Sequence, residues 1–186
     1  MFGQMRAALG IAKTVDILEH VYTLAADKQP SAMESIREIE RDAMRKMVPQ
    51  KGLIQLMEYL EKRGVRKAIC TRNFDTPVNH LISNFCQGQI FYPIVTREFR
   101  PPKPDPAGIY HIAKQWELVD KGNRLIMVGD SLDDLTAGRR AGAATVLLVN
   151  DVNRGLVNHE YTDCVVKRLD DLIEILENGF AEVDRS

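Results

Sequence analysis

Neither sign of charge is in excess: 25 Lys and Arg stand against 26 Asp and Glu, a formal charge of −1. No basic face of any size is therefore expected for a nucleic acid, and no charged surface for an anionic membrane. No run approaches the roughly 20 apolar residues that a membrane helix needs. The N-terminus, MFGQMRAALG, also lacks the basic-then-apolar order of a secretion signal. Cysteine is scarce. Cys70, Cys86 and Cys164 are odd in number, far apart and set among apolar residues, which argues against disulfides and predicts buried thiols in a reducing, cytoplasmic setting. There is no internal repeat and no low-complexity tract. What remains is a chain of 186 residues, enough for one full core with an appendage.

The appendage comes first. Residues 1–48 show helical spacing and no strand-like alternation, with Val15, Leu18, Val21, Tyr22 and Ala25 on one stripe. Ser31-Ala-Met-Glu34 has the pattern of a capping box opening a helix through Met47, and Pro49 ends it. A further helix follows, with Leu53, Leu56, Met57 and Leu60 on one face and Gly64 at its end.

From Val65 the periods alternate: strand to Cys70, helix 77–85, strand at Ile94-Val95, helix 106–115, strand 125–128, helix 133–141, strand 145–149. A strand at 163–166 and a helix at 169–176 complete the core, and a polar tail follows from 179. Strands alternating with helices predict an α/β fold with a parallel sheet. Thr76-Pro77 and Asp105-Pro106 read as caps followed by first-turn prolines.

In open parallel sheets ligands lie beyond the carboxyl ends of the strands, so polar residues one step past each strand are the candidates. Three places qualify. Thr71-Arg72-Asn73 follows the strand ending at Cys70 and puts a hydroxyl and backbone N–H groups where a phosphoryl oxygen could sit. Taken alone, a threonine there reads as a turn former. Lys103 is stiffened by prolines in Arg100-Pro-Pro-Lys103-Pro-Asp-Pro106, which fixes where a compact cation points. Taken alone it reads as a surface loop. The third place is Gly129-Asp130, with Asp133 and Asp134 close behind. Asp133 and Asp134 suit the positive end of a helix dipole; that reading leaves Gly129-Asp130 unexplained, whereas hard carboxylates there suit Mg²⁺. Gly138 and Gly142 read as points where the following helix packs closely on the sheet.

Taken together, Thr71, Lys103, Gly129-Asp130 and Asp134 resemble the second, third and fourth motifs of the haloacid dehalogenase superfamily. The likeness is carried by Ile69-Cys-Thr-Arg-Asn73, Val95-Thr-Arg-Glu-Phe-Arg-Pro-Pro-Lys103 and Met127-Val-Gly-Asp-Ser131. It covers residues 49 to about 178 and is closest to phosphatase-type members with a small helical cap. The resemblance implies a Rossmann-like parallel sheet with helices on both faces (49–178), a helical cap (1–48) that closes over the site and chooses substrates, and a tail (179–186). It further implies that Thr71 and Lys103 are catalytic, with Arg72 and Asn73 joining them in binding phosphate, and that Asp130 and Asp134 hold Mg²⁺. The substrate would be a small phosphorylated metabolite. No feature of the sequence sets an oligomeric state.

That family's first motif, an apolar strand ending in Asp-x-Asp, is missing: the chain contains no Asp-x-Asp. In the family the first aspartate attacks phosphorus and the second moves the leaving-group proton. Two consequences are expected. The chain would be inactive as written, Met1 being an internal methionine of a longer protein, and the sheet would have an open slot between the strands ending at Cys70 and Val128. The competing reading is a non-catalytic relative that keeps phosphate and Mg²⁺ contacts or acts as a scaffold. His20, His80, His111 and His159 have no strand-end serine or cysteine to pair with as a nucleophile.

Overall fold

The computed structural model describes residues 2–119 and 122–179. The expected polar tail lies almost wholly outside them. The chain divides between Val48 and Pro49 into two compact units.

The first unit has three helices, α1 (Phe2–Leu9), α2 (Ile17–Thr23) and α3 (Gln29–Arg45). They share a core of Met5, Ile17, Val21 and Ile36. Asp16 caps α2, its carboxylate accepting the N–H groups of Leu18 at 3.0 Å and Glu19 at 3.1 Å. That cap turns Ile17, Leu18 and Val21 inward while Val15 and Tyr22 stay exposed, so the stripe expected from Val15 to Ala25 is only half correct. The expected capping box is not formed: α3 begins two residues before Ser31, with Pro30 in its first turn, and Ser31 serves inside the helix as an acceptor for the Ser35 hydroxyl. Proline in the first turn leaves no N–H in need of a cap there.

The second unit alternates helix and strand throughout: α4 (Leu53–Lys62), β1 (Ile69–Cys70), α5 (Asp75–Phe85), β2 (Ile94–Val95), α6 (Ala107–Gln115), β3 (Ile126–Gly129) and α7 (Leu132–Ala141). It closes with β4 (Ala144–Leu148), a 3₁₀ turn (Arg154–Leu156), β5 (Cys164–Val166) and α8 (Asp171–Asn178). Every strand pairing is parallel. Apolar side chains pack on both faces. α6 and α7 cover one through Ile109, Ile112 and Ala137, and α4 and α8 cover the other through Leu56, Met57 and Leu172. The fold is α/β and Rossmann-like, as the alternation predicts.

The sheet is in two pieces. β1 pairs with β2, and β3, β4 and β5 form a separate ladder in that order. Between the facing edges of β1 and β3 lies a cavity of about 650 Å³, lined by Ile69, Cys70, Ile126 and Val128 and flanked by Leu56 and Leu172. Ile126 is 37% exposed, whereas Val146 and Leu147 on β4 are fully buried. Parallel sheets normally have both faces and both sides covered, so β3 carries an unpaired edge of a kind usually found deep inside such a fold. The same edge explains a shortfall in β1. The run Val65–Cys70 was expected to pair along its length, but only Ile69 and Cys70 enter the ladder, and Val65 is exposed. Among the described residues the run has no neighbour on the β3 side, and its backbone bonds go to the segment around β2, the Lys67 carbonyl accepting the Tyr92 N–H at 2.8 Å and the Ile69 N–H donating to the Pro93 carbonyl at 3.2 Å.

Other boundaries fall close to the sequence reading, with two corrections. Thr76 is not a cap, because α5 already begins at Asp75; Asp105 does bond ahead, accepting the Ala107 N–H at 2.8 Å. Gly142 does not pack on the sheet: it takes a left-handed conformation (φ 84°) that ends α7. Gly138 does pack on it. A β-carbon there would lie 2.8 Å from both Met127 Cβ and Thr145 Cγ2. Gly138→Ala is therefore expected to lower unfolding free energy by about 1–3 kcal/mol in a urea titration, through overpacking of α7 on β3 and β4.

Candidate active site

The carboxyl ends of β1 and β3 are joined by one side chain. Lys103 Nζ donates at 2.5 Å to the Cys70 carbonyl, the last of β1, and at 2.5 Å to Asp134 Oδ1 in the first turn of α7. Both side chains of the pair are largely buried, at 9% and 11% exposure. The proline-stiffened loop around Lys103 thus aims its ammonium at the gap between the two sheet pieces.

Asp134 is held from its other side as well. Its Oδ2 accepts the N–H groups of Asp130 at 3.2 Å and Ser131 at 3.1 Å, and the Ser131 hydroxyl at 2.7 Å. The Ser131 oxygen accepts the Asp134 N–H in return, at 3.2 Å, completing a capping box at the start of α7. Gly129 makes room for this: a β-carbon on it would lie 2.3 Å from Asp134 Cβ. Steric need explains that glycine at the end of β3, which the sequence reading had flagged without a reason.

Asp130 differs from Asp134 although both follow the same strand. It is exposed at the surface, with its backbone N–H and carbonyl both held. Partial burial, reinforced by the charge of Asp134, pushes that carboxyl above its ordinary range; its own N–H and the Lys103 ammonium only partly oppose this. Two carboxylates are thus held close enough for one to raise the proton affinity of the other. Hard oxygen donors with surplus negative charge fit a small divalent cation, which would relieve the repulsion. Among the described residues no three His, Cys, Asp or Glu side chains form a metal-binding group, so these residues offer a partial rather than an all-protein cage. That is the usual arrangement for Mg²⁺, which keeps waters and substrate oxygens as ligands.

The first candidate loop lies at the same strand ends. The Thr71 N–H continues the ladder to Val95 O at 2.8 Å, while its hydroxyl oxygen accepts the Asn73 N–H at 3.1 Å, closing a local turn. The hydroxyl hydrogen remains available to a ligand oxygen. Arg72 reaches across to Asp133, Nη1 to Oδ2, at 2.5 Å, binding the β1 loop to the start of α7. The Asn73 side-chain oxygen is buried without a hydrogen-bond partner. Burial pushes the Cys70 thiol's pKa up, with Lys103 opposing and Asp134 adding to the shift, which disfavours the thiolate. Of the histidines, His111 stacks at a tilt on Phe99 and His159 lies edge-on to Tyr161, as packing residues do.

Three roles in this cluster went unread in the sequence: Ser131 as the cap of α7, Asp133 as the Arg72 partner, and Asn153, which bonds to the Asp130 carbonyl at 2.9 Å. Asn150-x-x-Asn153, turn formers just past β4, was the available signal. For the central pair, Lys103→Met leaves the Asp134 carboxylate buried without its cation. The expected loss is about 3–5 kcal/mol of unfolding free energy, with part regained in the Lys103→Met/Asp134→Asn double variant, both read from denaturant titrations.

A family model described as haloacid dehalogenase-like hydrolase matches residues 6–148. The protein named uncharacterized hydrolase YOR131C, from Saccharomyces cerevisiae, is 43% identical over 184 residues, which are 96% of this chain and 84% of that one. A phosphoglycolate phosphatase of Pseudomonas savastanoi pv. phaseolicola is 29% identical over 126 residues, 67% of this chain but 45% of its own length. Among solved structures, the D,D-heptose 1,7-bisphosphate phosphatase of B. bronchiseptica, complexed with magnesium and phosphate, shares the fold at a TM-score of 0.59. It is 22% identical, covering 72% of this chain and 86% of that one. With the motif residues gathered at the ends of β1 and β3, this chain belongs to the haloacid dehalogenase-like hydrolase family.

Proposed function

We propose that this chain carries the phosphate- and magnesium-holding part of a phosphoric monoester hydrolase for small phosphorylated metabolites, and that it does not turn over by itself. The supporting observation is the bridge from Lys103 to the Cys70 carbonyl and to Asp134. It places a fixed cation beside Thr71 and one residue contact away from Asp130, where a phosphoryl group would need countercharge.

In this reading the Thr71 hydroxyl and the loop through Arg72 and Asn73 bind the phosphoryl oxygens. Lys103 screens the phosphoryl group from the surrounding carboxylates. Asp130 offers its exposed carboxylate to Mg²⁺, while Asp134 holds the loop that presents it and orients the ion's water. When bound, the ion neutralises charge on the phosphoryl oxygens. Substrate choice would fall to residues 1–48, by the family resemblance.

The nucleophile is what the described site does not provide. No Asp-x-Asp occurs in the sequence, and the slot between β1 and β3 is where the family places the strand that carries it. Lys103 and Asp130 flank the carboxyl end of that slot, so an aspartate delivered there would meet both. A second reading, a binding protein without turnover, draws on the same site and separates from the first only if a nucleophile is supplied.

The test is direct. The purified chain, given p-nitrophenyl phosphate and Mg²⁺, is expected to show no hydrolysis above buffer. It is expected to keep saturable binding of Mn²⁺, used as a spectroscopic substitute for Mg²⁺, and to lose that binding in Asp130→Ala. Hydrolysis that disappears in Asp130→Ala would overturn the missing-nucleophile reading.

A further inference from the structure

We infer that Asn153 is a positioning residue for Asp130, fixing the backbone of the residue that presents its carboxylate to the divalent cation. The inference rests on the metal reading of the site. Asn153 lies in the loop after β4 and is 8% exposed, a polar side chain taken out of water and therefore obliged to find partners. Both amide hydrogens are used: Nδ2 donates to the Asp130 carbonyl at 2.9 Å and to the Leu148 carbonyl at 3.0 Å. Oδ1 accepts the Asn150 N–H at 2.7 Å. Asn150 locks the turn in return, its side-chain oxygen accepting the N–H groups of Val152 at 2.8 Å and Asn153 at 3.2 Å. Rotating the carboxamide away would break three bonds in a place where water cannot readily replace them.

The consequence falls on Asp130. Its N–H is held by Asp134 Oδ2 and its carbonyl by Asn153 Nδ2, so both peptide groups flanking its α-carbon are fixed while the side chain stays exposed. Closing the loop after β4 would need only the bonds to Leu148 and Asn150. The bond to Asp130 goes further, crossing from the β4 loop to the end of β3 and making the direction of one carboxylate depend on a residue 23 positions later. Residues that orient a ligand in this way commonly change metal affinity about 10- to 100-fold when replaced.

The experiment measures Mn²⁺ affinity by electron paramagnetic resonance, with Mg²⁺ as competitor, alongside thermal unfolding. Four full-length proteins are compared: unaltered, Asn153→Ala, Asn153→Leu and Asp163→Asn. Asn153→Leu keeps the side-chain volume should the alanine variant fold poorly. Asp163 serves as the control, because it accepts bonds from Thr145 near the amino end of β4, remote in the sheet from Asp130. Both Asn153 variants are expected to weaken Mn²⁺ binding about 10- to 100-fold, and Asp163→Asn to lower the unfolding temperature with Mn²⁺ affinity unchanged. Unchanged affinity in a folded Asn153 variant, or equal weakening in Asp163→Asn, overturns the positioning role. No Mn²⁺ binding by the unaltered protein overturns the metal reading itself, and the inference with it.

Discussion

The buried contact between Lys103 and Asp134 is the constraint on which the rest of the site depends. Removing two unit charges from water costs several kcal/mol per ion, and their attraction repays it only when the remaining hydrogen-bonding capacity is also filled. Here it is filled. The ammonium has the Cys70 carbonyl as a second acceptor, and the carboxylate has three further donors from Asp130 and Ser131. The pair therefore reads as a clamp between two loops rather than a surface decoration of negligible worth. Its prolines restrict the Lys103 loop in the unfolded chain as well, which lowers the entropy lost on fixing the ammonium.

The clamp lies at the carboxyl end of the slot that separates the two sheet pieces. Along the slot, β1 and β3 have no strand between them among the described residues, and Ile126 is left partly in water. Each unsatisfied backbone group in such a place costs about 1–3 kcal/mol if it is kept from water, against a domain stability of roughly 5–15 kcal/mol. An open slot wetted by solvent avoids part of that cost and forfeits the apolar burial in exchange. At its carboxyl end Lys103 and the Arg72–Asp133 pair span the divide with side chains. The phosphate and metal candidates are thus ordered by contacts that do not need a central strand, which is why the site is recognisable although the sheet is discontinuous.

Much of this was legible in the sequence, for a physical reason. The apolar runs at β3 and β4, and the helix after β3 that opens on acidic residues and ends on glycine, express local preferences that tertiary packing leaves in place. Thr71 and Asp130 stood out as candidates because ligand sites in such sheets lie one step beyond the strands, and Lys103 because prolines stiffen its loop. What failed was decided elsewhere. Val65 to Ala68 lead into an apolar strand end but have no second neighbour among the described residues, so pattern alone overestimated β1. Ser31 and Glu34 have capping-box spacing, yet Pro30 opens α3 earlier. Gly142 and Gly138 look alike in the sequence; only backbone conformation shows that one ends α7 and the other packs on Met127 and Thr145.

Asp130 and Asp134 show most clearly what spacing cannot convey. Sequence offers two identical side chains four residues apart, and reading Asp130 as the ion's ligand and Asp134 as its ligand or the holder of its water left the second role open. A carboxylate has about four lone-pair directions, and on Asp134 four donors approach: Lys103 on one oxygen, and Asp130 N–H, Ser131 N–H and the Ser131 hydroxyl on the other. An ion could bind Asp134 directly only by displacing one of them, at the cost of the clamp or the helix cap. Asp130 is exposed as a residue, and partial burial of its carboxyl together with its neighbour's charge raises its affinity for a proton. The saturated aspartate holds the loop rigid, and the exposed one keeps a carboxylate that fewer donors occupy. Their roles follow from the number of donors each has gathered, a quantity that exists only once the chain has folded.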